Sequence, residues 1–235
     1  MENIDIAGGL LWFVAFLFST TLHEAAHAWV AWKGGDSTAY LGGQVSLSPL
    51  PHIRREPIGM LVVPLFTALT RGWAIGWAST PYSPYWATYH PRRAALMSAA
   101  GPGGNLLLAI VSFVLLKAGL VAGIFVAPAS ARVEHLVDVP GGGMALGFTA
   151  QMLSIFLMLN LMLFFFNLIP LPPLDGASAL GLLLPEAMAL RLRNLAHSPG
   201  FSIFGLLIAW QVFPFIVRPL FHVVLWALHP SALYG

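Results

Sequence analysis

Long apolar runs separated by short polar segments make up most of the chain. Four of these runs reach about 20 residues, the length that a helix needs to cross the apolar part of a bilayer. The run at residues 57–79 is interrupted by Pro64, Arg71 and Gly72, so we expect it to re-enter the membrane or to form a helical hairpin. The predicted spans are residues 10–32, 94–116, 146–169 and 201–228. This pattern predicts an all-α polytopic membrane protein, a helix bundle of about four full transmembrane spans with one re-entrant element.

Composition supports a membrane protein. Hydrophobic residues are 58% of the chain and charged residues 9%, with a mean hydropathy of +0.80, whereas soluble domains carry about 25% charged residues. The spans use most of the length, so we expect residues 1–235 to form a single membrane-embedded domain. The 11 lysines and arginines form no basic run, which gives no reason to expect a nucleic-acid partner. Cysteine is absent, so a metal ion would need histidine, carboxylate or water ligands.

The first span carries the sequence His23-Glu24-Ala25-Ala26-His27, an HEXXH motif. On a helix, His23 and His27 lie four residues apart on one face, where both can bind one metal ion, and Glu24 projects beside them. Ionisable side chains are costly inside a membrane, so their presence there indicates function. The motif therefore predicts a zinc hydrolase site within the membrane.

A catalytic zinc site normally has three protein ligands and keeps one position for water, so two histidines do not complete it. Asp175 is the best candidate for the third ligand. It follows Pro170, Pro172 and Pro173, which favour an extended backbone. Non-helical backbone at membrane depth is stable only when it is buried in protein or lines a watery cavity. A carboxylate in such a place is more plausibly a metal ligand than a stray surface charge.

Residues 43–48 alternate polar and apolar side chains and are followed by Pro49, a pattern typical of a short β-strand or hairpin. Near the predicted metal site, such a strand could pair with an extended substrate. A hairpin that only packs the loop explains the pattern equally well.

Positive charges predict the orientation of the spans, because lysine and arginine are enriched in cytoplasmic loops. If residues 57–79 return to the face from which they enter, eight of the eleven basic residues share one side. These eight are Lys33, Arg54, Arg55, Arg71, Arg92, Arg93, Arg191 and Arg193. We expect that side to be cytoplasmic, with the N-terminus outside.

Three blocks of sequence resemble the site-2 protease family of intramembrane zinc metalloproteases. They are His23 to His27 in the first span, Ala100 to Asn105 in the next full span, and Asn167 to Pro170 with Leu174-Asp175-Gly176 after the third. The chain is similar to the compact bacterial branch of this family, and no PDZ or CBS domain is visible in it. Ala177 stands where the family often has a second glycine, a departure that changes a backbone-permissive position and no ligand.

The resemblance implies an activity and a set of roles. His23, His27 and Asp175 would bind one zinc ion, and Glu24 would act as general base. The activity would be that of an endopeptidase that hydrolyses bonds within or near transmembrane segments, in regulated intramembrane proteolysis. Its partners would be single-span membrane-protein substrates and the lipid bilayer. The location would be the bacterial cytoplasmic membrane, with the active site toward the cytoplasm.

Two asparagines are candidate catalytic residues. Asn167, eight residues before Asp175, and Asn105 could donate hydrogen bonds to the developing oxyanion or to the substrate backbone. Alternatively, each makes a hydrogen bond between helices of the bundle.

Two other functions also fit parts of the sequence. The first is a non-proteolytic membrane metal-binding or chaperone-like protein that keeps the site without turnover. The intact Glu24 argues against it, because metal binding alone needs no base. The second is a metal transporter, which would need ionisable residues in several spans. The third and fourth spans offer little beyond Asp175 and Arg218.

Overall fold

The structure is a computed structural model that describes residues 5–196 and 199–230. In this part of the chain the backbone is mainly helical, with a π-helical turn at Ile58–Val62 and a 3₁₀ turn at Leu180–Leu182. The helices are α1 (Ile6–Lys33), α2 (Thr38–Leu41), α3 (Pro49–Arg55), α4 (Val63–Arg71), α5 (Pro84–Tyr89), α6 (Pro91–Val121), α7 (Met144–Asn167), α8 (Asp175–Ala179), α9 (Glu186–Ala196) and α10 (Pro199–Leu228). The prediction of an all-α bundle is confirmed.

Four of the described helices, α1, α6, α7 and α10, are long and apolar enough to cross a membrane. They match the four predicted spans: α1 and α6 extend beyond both predicted ends, α7 begins and ends slightly earlier than predicted, and α10 begins slightly earlier and ends where predicted. At the start of α1, Oδ1 of Asp5 accepts from the backbone N–H of Gly8 at 2.9 Å, which caps the helix. At the start of α6, Pro91 occupies the first turn, where its missing N–H costs no hydrogen bond.

The helices α1, α6 and α7 pack against one another and form the centre of the bundle. One buried cluster joins α1 to α4 and α7 and includes Trp12, Phe16 and Ile155. Another joins α6 and α7 to the end of α10 and includes Leu116 and Leu225. Along most of its length, α10 exposes large apolar side chains, as expected of a helix that faces lipid.

The contacts between α1 and α6 show that the two helices run in opposite directions. His23 contacts Asn105, whereas His27, one turn later in α1, contacts the earlier residue Met97 of α6. The end of α1 and the start of α6 therefore lie at the same end of the bundle. We call this the metal end, because the HEXXH motif lies close to it.

Residues 58–77 form a hairpin. Gly72 has φ of +76° and ends α4, and the following segment runs back until the N–H of Trp77 donates to the carbonyl of Gly59 at 3.1 Å. Near the tip, the Ala68 carbonyl packs so closely on Gly9 that a side chain at position 9 would not fit. The chain thus doubles back, as the predicted helical hairpin requires.

The depth of this hairpin corrects the prediction for Arg71. Gly9 precedes His23 by 14 residues in α1, which at about 1.5 Å per residue places the hairpin tip about 21 Å from His23, on the side away from the metal end. Arg71, three residues after Ala68, therefore lies at the opposite end from Lys33. Without Arg71, seven of the eight basic residues predicted to share one side remain, and we call these seven the metal-end group. The excess of positive charge at the metal end is therefore smaller than predicted, but it has the predicted direction.

The strand predicted at residues 43–48 is wrong: these residues, all of them described, form turns and bends. Gly43 has φ of +75°, a left-handed conformation that interrupts an extended backbone. The Ser48 N–H donates to Oγ of Ser46 at 3.1 Å, and Nε2 of His52 donates to the Ser46 carbonyl at 3.1 Å. These local bonds hold the backbone in a turn, so the alternation of side chains does not report strand pairing.

Candidate metal centre

The two histidines of the HEXXH motif lie side by side on the inner face of α1. His23 and His27 are 8% and 5% exposed, and their Nε2 atoms are 3.0 Å apart. The rings meet edge to face, with centroids 4.6 Å apart. The four-residue spacing on a helix therefore produces the arrangement that the sequence predicts.

Asp175 reaches the same point from the segment after α7. Its Oδ2 atom lies 3.1 Å from Nε2 of His23 and 3.3 Å from Nε2 of His27. Asp175 is the first residue of α8, and the next residue, Gly176, packs directly against the Leu168 carbonyl, where a side chain would collide. The turn after α7 therefore depends on a glycine next to Asp175. The three possible ligand atoms all lie within 4.8 Å of one another.

Hydrogen bonds to the other ring nitrogens determine which tautomer each histidine adopts. Nδ1 of His27 lies 2.7 Å from the Met97 carbonyl, which can only accept, so this nitrogen carries the proton. Nδ1 of His23 lies 2.6 Å from Oδ1 of Asn105. The amide of Asn105 is oriented by the Ser19 carbonyl, which accepts from Nδ2 at 3.3 Å. Both histidines are thus protonated on Nδ1, and both Nε2 lone pairs face the shared point.

This donor set fits a zinc ion. Two Nε2 lone pairs and a carboxylate oxygen face one another at 3.0–3.3 Å, and a cation at that point removes their mutual repulsion. Space for the ion depends on Gly101 of α6, because a Cβ added there would lie 2.6 Å from Nε2 of His23 and closer still to that of His27. Two nitrogens and one carboxylate oxygen are ligands typical of catalytic zinc.

Glu24 is held from a different part of the chain. It is 5% exposed, and its Oε2 atom lies 2.7 Å from the hydroxyl of Thr80, in the segment between the hairpin and α5. The same hydroxyl lies 2.9 Å from the Glu24 carbonyl. No spacing pattern in the sequence singles out this threonine.

The bond from Asn105 to His23 belongs to a longer chain of buried polar groups. Nδ2 of Asn105 also donates to Oδ1 of Asn160 in α7 at 2.8 Å. Asn160 in turn donates to Oγ of Ser19 at 2.8 Å and to the Phe156 carbonyl at 2.9 Å. Ser19, Asn105 and Asn160 are completely buried. Polar residues inside predicted spans were the only sign of this network in the sequence.

Asn167, the other asparagine singled out by sequence, lies at the end of α7. Its Nδ2 atom donates to the carbonyl of Leu163, one turn earlier, at 3.0 Å. This bond uses one of the two N–H groups of the amide. Because the side chain is only half-buried, the other N–H group and the oxygen remain accessible to further partners.

Tyr82 lines a small cavity together with residues of α6, α8 and α9, among them Met97, Ser178 and Arg193. Burial raises the pKa of Tyr82, Arg193 acts in the opposite direction, and the charge of Asp175 adds to the rise. Tyr82 is therefore a neutral phenol at physiological pH, with a hydroxyl that both donates and accepts.

Two buried histidines and a partly buried aspartate beside a glutamate, among apolar helices, define a membrane-embedded zinc hydrolase. The model of peptidase family M50 matches residues 11–208, and the chain belongs to this family. The predicted membership of the site-2 protease family is thereby confirmed, and with it the predicted zinc metalloendopeptidase activity. Zinc is the cofactor of this class.

Curated relatives agree with this assignment. "Putative zinc metalloprotease YwhC" of Bacillus subtilis (strain 168) is 35% identical over 219 residues, which cover 92% of this chain and 84% of that protein. "Putative zinc metalloprotease Rip2" of Mycolicibacterium smegmatis (strain ATCC 700084 / mc(2)155) is 31% identical over 218 residues, or 92% of this chain and 72% of that protein. The protein of the same name from Mycobacterium tuberculosis (strain ATCC 25618 / H37Rv) is 29% identical and covers 99% and 79%. No solved structure gives a significant match.

Proposed function

We propose that this zinc metalloprotease cleaves peptide bonds within or close to the transmembrane segments of single-span membrane proteins. The supporting observation is the position of the metal centre on a membrane-spanning helix. His27 and His23 precede the last residue of α1 by six and ten residues, which places them about 9 and 15 Å inside that end. A peptide bond of the substrate must lie within the membrane region to reach these histidines. The peptide bonds of transmembrane segments already lie there.

In the proposed reaction His23, His27 and Asp175 hold the metal, and Glu24 is the general base. When bound, zinc supplies Lewis acidity for peptide hydrolysis. The carboxylate of Glu24 removes a proton from the attacking water and returns it to the leaving amine. The Nδ1 bonds to Met97 and Asn105 keep both imidazoles in the orientation and tautomer that a ligand needs.

The two asparagines take different roles in this proposal. Both hydrogens of the Asn105 amide are used by Ser19 and Asn160, so the geometry favours Asn105 as a residue that positions His23. Asn167 retains an N–H group beyond its bond to Leu163 and is the better candidate donor to the substrate carbonyl or the developing oxyanion.

The seven basic residues of the metal-end group support a cytoplasmic position for that end, in a bacterial inner membrane. Water can approach from this end, because the side chain of Asp175 is 22% exposed whereas the histidines are nearly covered. A substrate helix also has to unwind before hydrolysis, since its carbonyls are bonded within the helix. The turn at residues 43–48 offers no strand for the unwound segment, so the predicted pairing there is not part of this proposal.

The decisive experiment compares wild-type protein with Glu24→Gln in a strain that lacks the endogenous copy. Membrane proteomics that records new N-termini should show single-span proteins cleaved only by the wild type. General acid and base groups contribute about a hundredfold to ten-thousandfold to rate, so the variant should lose nearly all cleavage. Its zinc content should be unchanged, whereas Asp175→Ala should lose both zinc and cleavage.

Glu186→Gln is the matched control, because Glu186 is exposed and its contact with Arg92 spans 3.7 Å, a surface pair of small effect. A zinc-loaded Glu24→Gln variant that cleaves at the wild-type rate would contradict the mechanism. A zinc-loaded wild type whose membrane N-termini equal those of Glu24→Gln would support the non-proteolytic alternative instead.

A further inference from the structure

Thr80 makes a direct contact with the carboxylate of the general base. Its Oγ1 atom lies 2.7 Å from Oε2 of Glu24, and the bond joins two segments that are 56 residues apart in the chain. We propose that Thr80 is a positioning residue that orients Glu24 for proton transfer. This inference rests on the function proposed above for Glu24.

The carboxylate needs such a partner because the α1 backbone alone does not define its orientation. A glutamate side chain has several rotatable bonds, and ordering it costs conformational entropy. A hydroxyl that donates to an ionised carboxylate makes a charge-assisted hydrogen bond, which is stronger than a neutral one. The bond to Oε2 of Glu24 therefore selects one orientation of the carboxylate and leaves Oε1 for the reacting water.

Thr80 can impose this orientation because the residue before it is itself held. The carbonyl of Ser79 accepts from Nε2 of Gln44 at 3.3 Å and from Nε of Arg55 at 3.1 Å. The Ser79 hydroxyl donates to Oε1 of Glu56 at 2.6 Å. Threonine is β-branched and stiff at its first side-chain bond, so a fixed backbone also fixes the direction of the hydroxyl.

The test uses Thr80→Val, which keeps the shape of the side chain and removes the hydroxyl, together with Thr80→Ser, which keeps the hydroxyl. The purified protein is reconstituted with a labelled transmembrane segment that the wild type cleaves and Glu24→Gln does not. We expect Thr80→Val to lower kcat by about tenfold to a hundredfold, with KM little changed. Thr80→Ser should restore most of the lost kcat.

Zinc affinity and thermal stability separate positioning from packing. The hydroxyl of Thr80 bonds to Glu24 and to none of the three proposed zinc ligands. Zinc affinity, measured by chelator competition, should therefore be the same in Thr80→Val and wild type. Thr70→Val is the matched control, since the Thr70 hydroxyl donates at 2.7 Å to the Phe66 carbonyl of its own helix. It should leave kcat, zinc affinity and melting temperature unchanged.

The outcomes distinguish this inference from the proposed function. If Glu24→Gln is inactive and Thr80→Val has the wild-type kcat, only the role of Thr80 is refuted. If Thr80→Val loses zinc or melts earlier in proportion to its lost activity, and serine does not restore kcat, Thr80 is a packing residue and the inference is overturned. If Glu24→Gln retains full activity, the proposed function falls first.

Discussion

The two sides of the metal centre are built from different kinds of structure. On the ligand side, long helices hold the histidines, and their Nδ1 bonds lead to backbone carbonyls, directly through Met97 or by way of Asn105. On the base side, Glu24 contacts a hydroxyl from an irregular segment after the hairpin. Side chains anchored on packed helices are held more rigidly than those anchored on loops. Metal affinity and turnover should therefore respond to different mutations.

The largest effect on the ligand side should come from Gly101→Ala. The new methyl group would collide with both Nε2 atoms, lying 2.6 Å from that of His23 and closer to that of His27, and the backbone of α6 cannot move away without disturbing its contacts with α1. We expect zinc binding to be lost, and cleavage with it. Zinc content after purification and chelator competition measure the effect.

Gly103→Ala is the control for this substitution, because nothing lies within 4 Å of a Cβ at position 103. Both changes replace a glycine by the better helix former in α6, so they share any effect on the helix itself. Equal zinc affinity in the two variants would show that the space beside Gly101 is not the metal position.

Asn105→Leu should weaken zinc binding by about tenfold to a hundredfold, the usual cost of removing a hydrogen bond to a ligand histidine. Without the Oδ1 acceptor, the Nδ1 proton of His23 loses its partner and the ring is no longer held in one tautomer. When zinc is saturating, kcat should recover, because Glu24 and Thr80 are not altered. Failure of excess zinc to restore kcat would show that Asn105 acts in the chemical step.

Sequence reasoning found the parts of this protein that depend on local spacing. The four-residue interval between His23 and His27 predicts a shared helix face, and apolar length predicts the spans. Asp175 was singled out because prolines and a carboxylate are unusual together at membrane depth, and the structure places its carboxylate beside both histidines.

The other features of the fold and of the site depend on which segments pack together. Local sequence patterns do not contain that information. Arg71 was placed at the wrong end because the pattern does not give the depth of a hairpin. Among the described residues, no strand pairs with residues 43–48, and a hydrogen bond from His52 helps to hold their backbone in a turn. Thr80 is a common residue type in an irregular segment, and only the fold brings it to Glu24.

The smallest effect should come from Asn160→Leu, which tests how far the rigidity of the ligand side extends. The substitution removes the acceptor for one hydrogen of Asn105, but the Ser19 carbonyl still orients that amide. Hydrogen bonds between membrane helices are worth about 0.6 kcal/mol on average and up to about 1.7. We therefore expect zinc affinity to fall about threefold, and at most about twentyfold, less than for Asn105→Leu, with kcat at saturating zinc unchanged.

Ser154→Ala provides the comparison for Asn160→Leu. Ser154 is equally buried in α7, but its hydroxyl bonds to Ala150 and Leu136, away from the metal. It should lower the melting temperature without changing zinc affinity. If Asn160→Leu behaved like Ser154→Ala, the ordered part of the ligand side would end at Asn105 and its bond to the Ser19 carbonyl. If Asn160→Leu lowered zinc affinity as much as Asn105→Leu does, the three buried residues Ser19, Asn105 and Asn160 would act as one unit.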